Sequence, residues 1–166
     1  MKTIYDTPIF KILEDQYEGH SVIRIDSPNW VNILAFNEND ELLLIKQYRH
    51  GTQSIVLETP GGLIDPSDKS PLEAAKRELQ EETGYTTDAW KELSWVYANP
   101  AYQNNKCYFF VAKNIKKTSE QKLDPDERIC EIFFAPIDEV KQMLKTGDIR
   151  HSIIYANLAT YFIKET

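Results

Sequence analysis

The sequence contains few of the residues that build disulfide- or zinc-stapled folds, with two cysteines and three histidines among 166 residues. Cys107 and Cys130 each lie in an apolar, strand-like run, without the Cys-x-x-Cys spacing or paired histidines of a zinc site. We therefore predict that both are buried free thiols. With 42% hydrophobic residues, a chain of this length can bury a continuous core without such staples.

The chain also lacks long apolar runs and an excess of positive charge. No stretch approaches the roughly 18 consecutive apolar residues of a membrane span, and residues 1–6 lack the apolar centre of a signal peptide. We therefore expect a cytoplasmic protein without a membrane partner. Because 19 basic residues face 26 acidic ones, a broad basic surface for nucleic acid is not expected. An anionic substrate would need help from a metal ion.

Apolar runs separated by turn residues predict several strands before and after one well-marked helix. Residues 4–26 resemble a small antiparallel hairpin or meander, and residues 30–36 and 42–45 resemble two buried strands joined as a hairpin. A further strand, 54–58, ends at Thr59-Pro60-Gly61-Gly62. Later elements are predicted as strands 92–97, 106–112 and 129–134 and helices 137–145 and 152–164.

The clearest helix is predicted over residues 71–83. Ser70 is a good N-cap, Pro71 suits the first helical position, and Glu73 stands where a capping box requires it. Gly84 is a natural C-terminal stop.

This helix places three carboxylates beside an apolar stripe. At about 100° per residue, Glu78, Glu81 and Glu82 share one arc, next to a stripe formed by Leu72, Ala75, Leu79 and Thr83. Clustered like charges destabilise a helix, and a hard cation such as Mg²⁺ or Mn²⁺, which prefers oxygen ligands, relieves the repulsion. Arg77 is placed to orient one glutamate. The alternative is a solvated acidic face.

The surrounding residues resemble the Nudix hydrolase family. Its box reads Gly, five residues, Glu, seven residues, then Arg-Glu-apolar-x-Glu-Glu-x-Gly-apolar, and residues 77–85 match every fixed position of the second half. The first half departs: a one-residue insertion restores Gly62 as the box glycine and leaves Asp68 or Lys69 where Glu is due. The resemblance implies an α/β/α sandwich with a mixed sheet over residues 29–166. Residues 1–28 would form a small N-terminal β-meander that crosses to the partner in a homodimer.

Residues outside the box resemble the group that acts on ADP-ribose and related nucleoside diphosphate sugars. They are Gln47-Tyr48-Arg49, Leu57-Glu58-Thr59-Pro60-Gly61-Gly62, and Pro100, sixteen residues after Gly84. This resemblance implies metal-dependent hydrolysis of ADP-ribose to AMP and ribose 5-phosphate. Two alternative functions stay open. One is hydrolysis of GDP-mannose, of another nucleotide sugar or of nucleoside triphosphates. The other is a non-catalytic module that binds nucleotide sugars.

The resemblance also implies roles for individual residues. Glu78, Glu82 and Glu81, with the main-chain carbonyl of Gly61, are expected to hold Mg²⁺ or Mn²⁺, and Arg77 belongs with them in the catalytic set. In this family the general base is often a glutamate on a loop before the last strand. The residue expected in this role is Glu127, with Asp126 as the second choice. The alternative is that this loop is only a solvated acidic segment. Residues expected to contact substrate are Arg49 at phosphate, Glu58 at the terminal ribose or a metal, Pro100, and Trp30, Tyr48 and Tyr102 by stacking on the base.

Overall fold

A computed structural model of the chain describes residues 1–125 and 127–165. The strands within these residues are β1 (Lys2–Asp6), β2 (Lys11–Tyr17), β3 (His20–Asp26), β4 (Trp30–Ala35), β5 (Leu42–Arg49), β6 (Ser54–Glu58), β7 (Tyr85–Thr86), β8 (Ala89–Tyr97), β9 (Lys106–Lys113), β10 (Lys116–Lys117) and β11 (Ile129–Ala135). The helices are α1 (Pro71–Thr83), α2 (Ile137–Thr146) and α3 (Ser152–Glu165). None of these helices is long and apolar enough to cross a membrane.

The first three strands form a separate antiparallel sheet in the order β1-β2-β3, which confirms the predicted meander. The sheet touches the rest of the chain through β3, where the Ile25 N–H donates to the carbonyl of Tyr102 at 2.7 Å. Many of its apolar side chains are exposed, among them Ile4, Tyr5 and Ile23. The meander therefore buries little of its own surface.

Two further sheets form the centre of the domain, in the orders β4-β9-β8 and β11-β5-β6. The first is mixed, because β4 runs parallel to β9 whereas β8 runs antiparallel to it. The predicted β4–β5 hairpin is wrong: β4 pairs with β9, and only an isolated bridge between Phe36 and Leu42 joins the two strands. Although β4 ends this order, it is buried, and its free edge is covered because Val31 and Ile33 donate their N–H groups to the carbonyls of Gly62 and Pro60.

Helices cover both faces of the sheets, which confirms the α/β/α sandwich. On one face, α1 contributes Ala74, Ala75 and Leu79 to a core that includes Ile33 and Phe110. On the other, α2 and α3 contribute Val140, Ile153, Ile154 and Leu158 to a second core with Leu34 and Phe109. Alternate residues of β4 and β9 thus face opposite layers, as the strand period of two requires.

Helix α1 begins and ends where the sequence predicts. Ser70 Oγ accepts from the N–H of Glu73 at 3.2 Å, Pro71 is the first residue, and Gly84 closes the helix with φ of 74°. A Cβ on Gly84 would also overlap the carbonyl of Ser119. Glycine is needed there both for the left-handed backbone and for the close approach of the neighbouring segment.

The two cysteines differ in environment. Cys107 is buried, as predicted, and burial raises the pKa of its thiol to about 12. The prediction for Cys130 is wrong, because this free thiol is exposed. The register of β11 against β5 shifts between Ile129 and Glu131, so Cys130 is the extra residue of a β-bulge on a strand at the edge of its sheet.

Candidate metal centre and substrate cavity

Three carboxylates converge at the carboxyl end of α1. Glu78 and Glu82, one turn apart on the helix, meet Glu127 from the segment that precedes β11, and one oxygen of each lies within 4.8 Å of the others. Glu78 and Glu82 are buried and Glu127 is half-buried. Three acidic groups this close repel one another unless protons or a cation intervene.

Glu82 is enclosed by protein. Its Oε2 accepts from the N–H of Gly61 at 2.9 Å, whereas its Oε1 is buried without a hydrogen-bond partner among the described residues. Burial, and next the negative charge of Glu78, raise the pKa of Glu82 well above the ordinary value. An orphaned buried carboxylate oxygen costs stability unless something binds it.

Glu78 lies against the Pro-Gly-Gly turn. A Cβ on Gly62 would overlap its carboxylate, which explains why glycine occupies this position. Burial raises the pKa of Glu78 to about 7, against the opposing effect of Arg77, which donates to Glu78 Oε1 at 2.9 Å. Glu78 thus changes charge close to neutral pH.

The residues present fit a hard divalent cation such as Mg²⁺ or Mn²⁺. The donor set consists of oxygen atoms, one of which has no other partner in the described chain, and a cation would offset the repulsion among the three carboxylates. Val31 and Ile33 donate their N–H groups to the carbonyls of Gly62 and Pro60. The carbonyl of Gly61, between them, is therefore turned away from β4.

This geometry predicts a pH-dependent effect of Mg²⁺ on stability. Because the pKa of Glu78 is raised, the folded state holds more protons than the unfolded state between about pH 4.5 and 7, and stability without metal falls as pH rises through that window. Mg²⁺ binds the ionised carboxylates, so its stabilising effect grows over the same window. In thermal melts we expect a larger Mg²⁺-induced rise at about pH 8 than at about pH 5.5. Equal shifts at the two values, or the same shifts in Glu78→Gln, would contradict the assignment.

Arg77 holds the acidic cluster in place from outside. Its Nη1 donates to Glu78 Oε1 at 2.9 Å and to Glu81 Oε2 at 3.1 Å, and its Nη2 donates to the carbonyl of Leu63 at 2.9 Å. Its Nε and Nη2 grip both oxygens of Asp68, at 3.2 and 2.9 Å. All five guanidinium N–H groups are therefore engaged.

Asp68 takes the position of the glutamate that is missing from the first half of the box. Its side chain is only 7% exposed, and the bonds from Arg77 lower the pKa of its carboxyl group. Five residues separate Asp68 from Gly62. Asp68, rather than Lys69, thus occupies the place of the expected glutamate, and the extra residue lies between Asp68 and Arg77.

Glu127 reaches the cluster because the preceding segment folds back over the end of α1. Thr118 N and Ser119 N donate to the carbonyl of Gly84 at 2.9 and 3.2 Å, Lys122 N to that of Glu81 at 2.8 Å and Gln121 Nε2 to that of Glu82 at 2.6 Å. These bonds satisfy carbonyls that a helix end leaves unpaired. Glu127 Oε2 in turn accepts from Asp124 N at 3.0 Å. Asp126, the second choice for the base, lies outside the described residues.

A cavity of about 1020 Å³ lies next to the Pro-Gly-Gly turn that contacts Glu82 and Glu78. Gly61 and Gly62 line its edge, together with Arg49, Glu58 and Trp30. Asp148, Arg150 and His151, between α2 and α3, supply further polar wall together with Ser152, and Ile153 and Ile154 of α3 supply apolar wall. This volume suits a ligand as large as a nucleotide sugar.

Arg49 and Glu58 form a bidentate ion pair in the cavity wall, with Nε to Oε1 at 2.9 Å and Nη2 to Oε2 at 2.6 Å. The Glu58 side chain is 2% exposed and that of Arg49 is 41% exposed. Burial acts to lower the pKa of Arg49, but its pairing with Glu58 and the nearby charges of Glu82 and Glu127 raise it above the ordinary value. The guanidinium thus stays charged and partly open to the cavity.

The structure brings together some of the predicted site residues and separates others. Trp30, Arg49, Glu58 and Gly61 share the cavity wall. Glu81 pairs with Arg77 and lies outside the closest carboxylate group of the described chain. The remaining three are elsewhere: Tyr48 stacks edge-on with His50, and Pro100 and Tyr102 are exposed in the β8–β9 loop.

The sequence assigns no functional role to two residues that lie near the site, Asp68 and His151. Five residues, 63–67, separate Gly62 from Asp68, as the box requires between its glycine and glutamate, so the sequence carries a signal for Asp68. His151 lines the cavity but lies 67 residues beyond Gly84, as their numbers show, and stands in no recognisable motif. Only the packing of α3 brings it there.

Comparison with known proteins agrees with this geometry. A family model described as the NUDIX domain matches residues 27–158. A solved structure titled as an ADP compounds hydrolase superposes with a TM-score of 0.79 and 25% identity, covering 96% of this chain and 88% of that one.

Curated relatives carry two substrate names. The chain is 26% identical to an ADP-ribose pyrophosphatase of Mycobacterium tuberculosis, over 95% of this chain and 78% of the relative. It is 32% identical to a GDP-mannose pyrophosphatase of Yersinia enterocolitica, over 85% of this chain and 78% of the relative. A protein named methanol dehydrogenase activator, from Bacillus methanolicus, is 29% identical over 75% of this chain and 67% of the relative.

Proposed function

This chain belongs to the Nudix hydrolase family, and from that premise we propose that it hydrolyses the pyrophosphate bond of a nucleoside diphosphate sugar. The proposed substrate is ADP-ribose, cleaved to AMP and ribose 5-phosphate. The observation that carries the proposal is the cluster of Glu78, Glu82 and Glu127, which contacts Gly61 and Gly62 in the wall of a cavity of about 1020 Å³.

We propose that Glu78 and Glu82 hold Mg²⁺ or Mn²⁺, with the Gly61 carbonyl as a further ligand and Glu127 beside the ion. Glu81 is the other candidate ligand, although here it binds Arg77. When bound, such an ion supplies Lewis-acid polarisation of the phosphate oxygens and a lowered pKa for water. The chain contributes a buried, negatively charged cradle, kept in position by Arg77 and the Gly61 N–H.

The remaining residues have proposed roles in substrate positioning and proton transfer. Glu127 takes a proton from the attacking water as general base, because it is the least buried of the three carboxylates and comes from the segment before β11. Arg49 neutralises the diphosphate, and Glu58 orients Arg49 and accepts from a ribose hydroxyl. Trp30 is the proposed stacking surface for the base, since it lines the cavity.

GDP-mannose is the second candidate substrate, since several of the relatives are named GDP-mannose pyrophosphatase. The two names among the relatives differ in both the base and the sugar of the substrate. A non-catalytic binding module is less consistent with the structure, because binding alone gives no reason to bury Glu82 with an unpaired oxygen.

A screen of nucleoside diphosphate sugars and nucleoside triphosphates tests the proposal. We expect hydrolysis of ADP-ribose with Mg²⁺ or Mn²⁺, no hydrolysis with a chelator, and AMP with ribose 5-phosphate as products. Turnover of triphosphates alone would contradict the substrate class. Absence of any turnover with either metal would favour the binding module.

We propose that the chain forms a homodimer through residues 1–28. The support is the exposed apolar surface of β1, β2 and β3, which includes Ile4 (49% exposed) and Ile23 (47% exposed). Replacing Ile4 and Ile23 together by Lys is expected to convert a dimer to a monomer in analytical ultracentrifugation. Ile163→Lys, which changes an exposed residue of α3, is the matched control. A wild-type monomer would contradict the proposal.

We also propose that the protein is cytoplasmic. Both cysteines are free thiols, and unpaired cysteines are common where the compartment is reducing. Recovery of a tagged chain in a membrane or secreted fraction of its host would contradict this location.

A further inference from the structure

One part of the cavity wall is not used by the reaction described above. It is the connection between α2 and α3, where Asp148, Arg150 and His151 line the cavity, together with Ser152, the first residue of α3. These side chains lie on the same cavity as Arg49 and Glu58. They are therefore placed to contact the part of the substrate that does not react.

His151 is held in one orientation by α3. Its Nδ1 accepts from the Ile153 N–H at 3.2 Å, so the imidazole is the N-cap of the helix, and its carbonyl accepts from Tyr155 N at 3.1 Å. An Nδ1 that accepts a hydrogen bond carries no proton. The neutral ring therefore has its N–H at Nε2, on the side away from the helix backbone.

Burial favours the neutral form of this ring. Burial lowers the pKa of His151 below the ordinary value, and the charges of Glu58 and Arg49 act on it in opposite directions. His151 thus lies close enough to the Arg49–Glu58 pair to feel both charges. It offers the cavity one hydrogen-bond donor and no net charge.

The chemistry of this wall suits the hydroxyl groups of a sugar. The carboxylates of Glu58 and Asp148 are acceptors, the hydroxyl of Ser152 both donates and accepts, and the Nε2–H of His151 donates. Arg49 and Arg150 line the same cavity and offset the charges of these two carboxylates, so the wall presents both donors and acceptors. Sugar hydroxyls both donate and accept, so they match a wall of this mixed character.

We propose that His151 is a specificity-determining residue, whose Nε2–H donates a hydrogen bond to a hydroxyl of the sugar of a nucleoside diphosphate sugar. This inference rests on the proposed function, since it concerns the same substrate and cavity. It assigns sugar recognition to the α2–α3 connection, which lies outside the Nudix box and follows it by more than sixty residues, as the numbering shows.

The test uses His151→Asn, because Asn is also a good N-cap but its shorter side chain withdraws from the cavity. His20→Asn, in the exposed N-terminal sheet, is the control. With the best nucleotide sugar of the screen, KM is expected to rise about tenfold in His151→Asn, the loss of one neutral hydrogen bond. The kcat, the melting temperature and competitive inhibition by the product nucleoside monophosphate should stay unchanged.

Three outcomes would overturn the proposal. An unchanged KM would show that His151 does not contact the substrate. An equal weakening of the sugar substrate and of the monophosphate inhibitor would place the contact on the nucleotide half. Failure of the wild type to hydrolyse any nucleotide sugar would be seen before a variant is made; it would refute the proposed function, and this proposal with it.

Discussion

Replacing Glu82 by Gln is expected to lower kcat/KM by a factor on the order of 10³ while leaving the fold intact. Glu82 is fully buried, and the amide of Gln can still accept from the Gly61 N–H through its carbonyl oxygen. What disappears is the negative charge at Oε1, the atom without a partner among the described residues. Glu78→Gln is expected to have an effect of the same order, measured as turnover over a range of Mg²⁺ concentrations.

Glu82→Gln should also melt at a higher temperature than the wild type when metal is absent. A buried carboxylate beside Glu78 is destabilising above its pKa, and a neutral amide removes that repulsion, which is worth roughly a few degrees. Glu73→Gln is the matched control, because Glu73 is exposed on the same helix and pairs only with Lys76 in the contacts described. Normal activity of Glu82→Gln would refute the metal assignment.

Replacing Arg77 by Lys is expected to destabilise the protein by about 2 kcal/mol and to lower kcat/KM roughly 100-fold. A lysine keeps the charge but cannot grip both oxygens of Asp68 while also binding Glu78, Glu81 and the Leu63 carbonyl. Asp68 is then left largely buried without its bidentate partner. Urea denaturation measures the first effect and steady-state kinetics the second.

A double-mutant cycle separates the Arg77–Asp68 contact from general damage. Asp68→Asn should cost a similar free energy of unfolding, and the double variant should cost less than the sum by about 1–3 kcal/mol. Lys76→Ala, which removes an exposed cation one residue away, should stay within about 0.5 kcal/mol of the wild type. Additive losses for Arg77 and Asp68 would contradict a direct role for this ion pair.

The elements that the sequence predicts well are those with local physical causes. Ser70, Pro71 and Gly84 define both ends of α1, because caps and breakers act through neighbouring backbone groups. The acidic arc of Glu78 and Glu82 follows from helix geometry alone. The predicted pairing of β4 with β5 is wrong because strand pairing depends on distant residues. β4 pairs with β9 through residues more than seventy positions apart in the sequence.

The part of the site that depends on distant segments was predicted less completely. Glu127 joins the carboxylates because residues 118–122 bind the carbonyls at the end of α1, and polar composition does not reveal that path. The sequence predicts Glu81 as the third carboxylate of the cluster, whereas in the structure Glu81 accepts a hydrogen bond from Arg77. His151 reaches the cavity only through the packing of α3, and the exposure of Cys130 follows from a bulge that composition does not signal.

The most direct test of the central claim is anomalous diffraction from crystals of the protein soaked in Mn²⁺. We predict a manganese peak within ligand distance, about 2.0–2.3 Å, of carboxylate oxygens of Glu78 and Glu82, with Glu127 beside it, and no such peak in Glu82→Gln crystals. A manganese peak at another site, or none at this cluster in the wild type under conditions that support turnover, would contradict the account.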